Sequence, residues 1–389
     1  MPVQTTYPGV YVEEIPSGVK TISGVSTSIA AFIGSAKKGH ENKPTTIFNY
    51  GDYERLFGGL WDLSTMSFAV RDFFQNGGGE AVIVRVSNGS SAATHAITDE
   101  ITISAASKGE WGNGVSFWVD HATKDTDDDT LFNLHVEHVD GQVEHFLNVS
   151  TEITSANSAI NVVKQKSSLI VIDDLDARPS EIPETTKESL DSGVNGDAVT
   201  NTQLIGAGTE TGKTGLYALE KADIFNILCI PPYSKTSDIE DSTYEIAMTY
   251  CKKRRAVLLV DSPSGWGNIQ DAVTGLNAFD KHNYAAMYFP RLLKPNPLKN
   301  NQIEEFVPCG AVAGVLARTD TERGIWKAPA GTEAKLSGVS GFSVPLTDQE
   351  NGKLNQLGVN CLRSFPVYGK LVWGARTLEG ADILASEWK

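Results

Sequence analysis

The chain has 389 residues, 40% hydrophobic and 21% charged, which is enough to bury a sizeable core in two or three domains and too apolar for a disordered polymer. A formal net charge of −15 leaves no excess of cations for a phosphate backbone, so nucleic acid is not expected as a partner. Its four scattered cysteines form no Cys-x-x-Cys pair, and with no secretory leader and no apolar run of about eighteen residues the expectation is cytoplasmic synthesis, reduced thiols and no membrane anchor.

Tyr7-Pro8-Gly9-Val10-Tyr11-Val12-Glu13-Glu14 is rich in aromatic and β-branched residues and is followed by the breaker Pro16-Ser17-Gly18, so it reads as a short isolated strand that must pair within its own fold or with a neighbour. A second strand pattern runs from Val19 through Ile33. Residues 62–75 predict an amphipathic helix with Phe68, Val70, Phe73 and Phe74 among its apolar positions, stopped by Asn76-Gly-Gly-Gly79 and followed by the buried strand Ala81–Val86. From about 96 to 150 the pattern alternates. There 131–139 and 142–149 flank Asp140-Gly141 and predict a hairpin with a tight type I′ turn. Ser168–Asp173 reads as a buried strand that returns the chain to α/β structure, and a polar connection follows over 176–202. Strands at 224–230, 256–261 and 284–289 then alternate with helices at 238–255 and 268–280, the rhythm of a doubly wound parallel sheet. Beyond about 300 the sequence is Gly-rich with shorter helical patterns and no repeat.

Several stretches carry a possible chemistry. Ala207 to Thr214 reads A-x-x-x-x-G-K-T, one residue from a phosphate-binding loop with Lys213 in the lysine position, and Asp261 ends an apolar strand where a magnesium ligand would sit; this would make the chain an NTPase. Against it, the segment before the loop is polar, and only about ten residues separate Thr214 from the next strand. Lys252-Lys-Arg-Arg255 reads as the last turn of a helix opened by a capping box at Ser237–Glu240. Asp125, Asp127 and Asp129 match only the first ligand positions of a calcium loop, since Thr130 and Val136 stand where Gly and Glu are needed. His135, Glu137 and Glu144, with His138 and His145 nearby, read as cross-strand polar pairs rather than a metal site. No catalytic, cofactor-binding or metal-binding residue is assigned, and no enzyme activity is expected.

An ordered set of stretches resembles the contractile tail sheath proteins of bacteriophages, R-type bacteriocins and phage-tail-like injection particles. They are 7–14; Phe73–Gly79 with Val84-Arg-Val86; Gly109–Asn113; Arg318–Pro329; Leu354–Asn360; and Trp373–Leu378. The resemblance implies an arm at 1–22, the first part of an α/β core at 23–91 and an antiparallel β-sandwich-like domain at 92–167. It places a subtilisin-like α/β domain without catalytic residues at 168–333 and the start of a C-terminal domain at 334–389. Such proteins usually continue beyond the Trp-Gly-Ala-Arg-Thr-Leu motif, so a shortened chain or a fragment is expected. The implied role is a subunit that stacks as sixfold rings around an inner tail tube and contracts, with neighbouring sheath subunits, tube, baseplate and tail terminator proteins as partners. Its final location would be a virion tail or phage-tail-like particle. Residues 7–14 would then pair with a neighbouring subunit, with 16–18 as the hinge, and the Gly-rich 206–215 loop would bind no nucleotide.

Overall fold

The computed structural model describes residues 28–208 and 212–380. The expected strand at Tyr7–Glu14, the hinge at 16–18 and most of the second strand pattern lie outside these residues, and Ala30–Gly34 is the strand observed at the end of that pattern. An eight-stranded sheet forms the centre. Its order is Gly369–Val372, Val359–Phe365, Ala285–Phe289, Val257–Asp261, Ile227–Cys229, Ala30–Gly34, Ala81–Arg85 and Thr45–Ile47. All neighbours run parallel except the two outermost strands, which are antiparallel to theirs.

The parallel strands are apolar at successive positions because both faces are covered, and alternate side chains enter separate cores. Ala31, Ile33, Leu228, Leu258, Val260 and Met287 face Tyr244, Ala247 and Met248 of the helix Asp241–Arg254. Ala30, Phe32, Ile83, Cys229, Leu259 and Tyr288 face Val70 and Phe73 of the helix Thr65–Gln75 and Val312 and Val315 of the helix Cys309–Arg323. The expected helix at 62–75 begins three residues late because the Ser64 hydroxyl accepts from Met66 N and so caps it. The capping box expected at Ser237–Glu240 is not formed. The helix begins at Asp241, and Ser237 instead accepts from Ser234 N at 2.8 Å in the preceding turn. Its cationic end is as expected, and Arg254 there donates to the carbonyls of Leu219, Ala222 and Asp223.

Between Asn88 and Asp197 the chain leaves this core and builds a second unit from two antiparallel sheets. One carries Val115–Asp120, Leu131–His138, Val143–Ser150 and Glu188–Ser189, and the other Thr94–Ile97, Ile101–Ala105 and Ile170–Leu175. Phe117, Phe132, Leu134, Phe146, Ile101, Ile103, Ile170 and Ile172 share its core. Two expectations are corrected here. The strand expected at 168–173 does not join the large sheet; as Ile170–Leu175 it pairs antiparallel with Ile101–Ala105. A short apolar run reads alike in either setting, so the sequence could not decide its sheet. The hairpin is present, but the turn is not type I′, which needs positive φ at both central residues. Only Gly141 has it, at +89°, with Gly141 N bonded to His138 O and His138 N to Gln142 O, both at 2.8 Å, the three-residue loop with a bulge.

Candidate functional site: the 206–215 loop and the motif residues

The described parts of the 206–215 stretch, 206–208 and 212–215, make a tight crossing of the backbone. It follows the short helix Asn201–Ile205, which is opened by a capping box between Thr200 and Gln203, and it leads into the 3₁₀ turn Gly215–Lys221. A phosphate loop needs a strand before it and a helix of full length after it, with free N–H groups pointing outward. Here Thr214 N donates to Ala207 O at 3.0 Å, Ala207 N to Thr214 Oγ1 at 2.8 Å and Gly215 N to Asn42 Oδ1 at 2.8 Å. Gly206 has φ +68°, and a Cβ there would meet Thr214 O at 2.2 Å, so glycine is required by the close approach of two backbone segments. Lys213 Nζ sits 2.8 Å from Glu220 Oε2. Asp261 is buried at its strand end with Oδ1 accepting from Cys309 N at 2.9 Å, the first turn of a helix on the opposite face from the loop's neighbours. The local secondary structure and the prior use of these groups give the NTPase reading of 207–214 no support.

The acidic loop at 125–129 is folded on itself: Asp125 Oδ1 accepts from Asp127 N, and Asp129 lies 3.6 Å from Arg178. In the hairpin His135 and His145 meet across the strands, while Glu137, Glu144 and His138 are engaged elsewhere. Glu144 stands opposite Val136, off the His135 face, and accepts from Ser167 and Ser168; Glu137 pairs with Lys187; His138 Nε2 is 3.1 Å from Trp111 O. Among the described residues no three His, Cys, Asp or Glu side chains could together hold a metal ion.

The residues that carry the sequence motifs share one physical role, which sequence reading did not assign. Arg85 is 2% exposed, and its guanidinium is spent on the carbonyls of Ala36, Gly39 and Lys108. Asn76 is buried at the end of its helix; it donates to Asp72 O at 2.8 Å and accepts from Ser337 N at 2.8 Å. Arg318 then ties Asn76 O to Lys335 O at 2.9 and 2.7 Å. Asn113 exchanges two hydrogen bonds with Gly193, at 2.8 and 2.9 Å, and Asn360 does the same with Arg376, at 2.7 and 2.8 Å. Arg85, Asn76 and Asn360 are buried, and in all five residues the side-chain donors named here reach backbone carbonyls, so they fix where distant segments cross. The signal for them was an Arg or Asn inside or beside an apolar or Gly-rich run.

Surface features suited to assembly are also present. Ile325 and Trp326 are 67% and 85% exposed in the loop after the helix Cys309–Arg323, and Val367 and Tyr368 are exposed at the turn between the last two strands of the large sheet. Gln302–Phe306 forms the edge of a three-stranded antiparallel sheet. Among the described residues no helix is long and apolar enough to cross a membrane.

The described residues thus form an α/β core with an inserted antiparallel unit, held by backbone-directed clamps and offering exposed aromatic side chains. Residues 197–378 match the phage tail sheath protein central domain family. The sheath tail protein of Listeria innocua has a similar fold at 14% identity and TM-score 0.61, covering 90% of this chain and 69% of that one. That of Desulfitobacterium hafniense matches at 14% identity and TM-score 0.58 over 95% and 75% of the two chains. The sheath of an extracellular contractile injection system in its contracted state, the PVC sheath complex, matches at 20% identity and TM-score 0.50 over 98% and 69%. No curated protein sequence matches the chain.

Proposed function

We propose that this chain is the structural subunit of a contractile tail sheath, stacking as sixfold rings around an inner tail tube and shortening to drive that tube through a target envelope. The observation that carries this reading is the sheath central-domain match over 197–378. The use of the motif side chains as internal clamps supports a load-bearing role rather than catalysis. Neighbouring sheath subunits are the principal partners, with tube, baseplate and terminator proteins at the lumen and ends. The inserted unit is read as sandwich-like and the large-sheet unit as subtilisin-like without its chemistry. Residues 7–14 add as a strand to a neighbour's sheet, and 16–18 let the joined subunits turn without detaching. A heterologous contact that does not close along the axis gives a filament, the form this role requires.

Negative-stain electron microscopy of the purified chain tests the reading. Rings or hollow tubes are expected, and a chain starting at residue 19 should give dispersed particles under the same conditions. Assembly unaffected by that deletion would remove the arm from the mechanism, and dispersed full-length chains in the presence of a sheath tube protein would count against the subunit role. The same preparation should bind no ATP, with Lys213→Ala indistinguishable from the parent.

A further inference from the structure

One side-chain cluster on the inserted unit is used by none of the roles above. His135 and His145 are direct register partners on adjacent antiparallel strands, and Trp118 is the register partner of His135 on its other side. His135 Nε2 lies 2.7 Å from Asp120 Oδ2, and its ring stacks on Trp118 with centroids 5.0 Å apart and planes 12° from parallel. Asp120 is itself fixed by Asn133 Nδ2 at 2.7 Å and Ala122 N at 2.8 Å. The carboxylate can only accept, so in neutral His135 the proton sits on Nε2 and the lone pair on Nδ1. That lone pair points across the strands, and His135 Nδ1 is 2.7 Å from His145 Nδ1. His145 is exposed, with its ring edge-on to Trp118.

A carboxylate holding the far nitrogen of a histidine in the tautomer that frees the near one is the arrangement that orients imidazole ligands at metal centres. We propose that His135 and His145 form a two-histidine site for an imidazole-preferring divalent cation, zinc or copper, with water completing the coordination. With metal–nitrogen bonds of about 2.0–2.1 Å, tetrahedral binding sets two nitrogens about 3.3 Å apart. The separation seen here therefore has to open by about 0.6 Å, which a rotation of the exposed His145 ring supplies. The proton now shared between the two Nδ1 atoms moves to His145 Nε2, so both rings stay neutral and bind through Nδ1. Imidazole pairs select copper, zinc and nickel over magnesium and calcium, which prefer oxygen. With two protein ligands the ion is exchangeable, a surface clip between neighbouring strands rather than part of the folding core.

Calorimetric titration of the untagged full chain with zinc chloride, and tryptophan fluorescence during titration with copper chloride, test the assignment. One equivalent of zinc should bind, copper should quench Trp118, and magnesium should give neither signal. His145→Ala should weaken zinc binding at least tenfold, and Asp120→Ala about 10–100-fold, with unchanged circular dichroism. Trp118→Phe should keep zinc binding and lose the quenching. Zinc affinity unchanged in His145→Ala, or quenching unchanged in Trp118→Phe, would put the cation elsewhere and overturn the proposal.

Discussion

Asp261 illustrates how a residue that looks functional in sequence can be structural. Burial pushes its carboxyl from 3.8 up to about 6, with Cys309 N and the nearby Arg291 acting in the opposite direction. In a cleft such a shift would mark a candidate acid or base. Here the side chain is sealed at a strand end and its oxygen serves the first turn of a neighbouring helix. The folded chain holds this proton more tightly than the unfolded one, so stability falls as pH rises from about 4 to about 6 and is level above that. The difference corresponds to roughly 3 kcal/mol. Urea unfolding from pH 4 to 7 should show this slope for the parent, and Asp261→Asn should lack it; an equal slope in both would assign the dependence to other groups. At the same scale, Lys213 and Asp125 show why a motif match alone carries no chemistry: each is the right residue type, but its side chain is engaged by a neighbour.

Among the elements, the helix Cys309–Arg323 is the longest described and the one least legible in the sequence. Gly310 and Gly314 lower its helix propensity, and that stretch read as Gly-rich with shorter patterns. Packing explains both glycines. A Cβ on Gly310 would lie 2.0 Å from Ala69 O, and one on Gly314 2.5 Å from Phe73 O, so the helix Thr65–Gln75 can approach only a bare backbone. Gly310→Ala should cost about 1–3 kcal/mol or more, since the obstacle is backbone and cannot turn aside. Gly352→Ala, in the helix Asp348–Gln356 with open space beside it, should stabilise by about 0.5–1 kcal/mol. Denaturant midpoints of the two variants check the contrast. The parallel strands, the helix ending at Gln75 and the 131–150 hairpin were legible because their apolar period survives in the fold. The capping box at Ser237 and the sheet membership of Ile170–Leu175 were not, because each depends on where a distant segment lies.

For the whole molecule, the decisive feature is how the second unit is attached. The chain departs and returns at adjacent points: Asp197 N donates to Asn88 O at 2.8 Å, and Ser91 N to Val194 O at 3.1 Å. The inserted unit has its own core, separate from the two that flank the large sheet. Replacing 89–196 by a short Gly-Ser linker should therefore leave a chain that unfolds cooperatively and keeps its parallel-sheet circular dichroism. The loss should be limited to contacts at the neck such as Arg85 with Lys108 O and Glu41 with Lys108. A molten product would show that the two units fold only together.

That neck also bears on how such chains diversify. An outgrowth whose two ends meet at a narrow hydrogen-bonded base can be enlarged, swapped or discarded in one genetic event while the remaining scaffold keeps its register. Length variation among kindred chains should accordingly gather between positions 88 and 197, and a foreign domain with closely spaced termini should be graftable there as cargo or label.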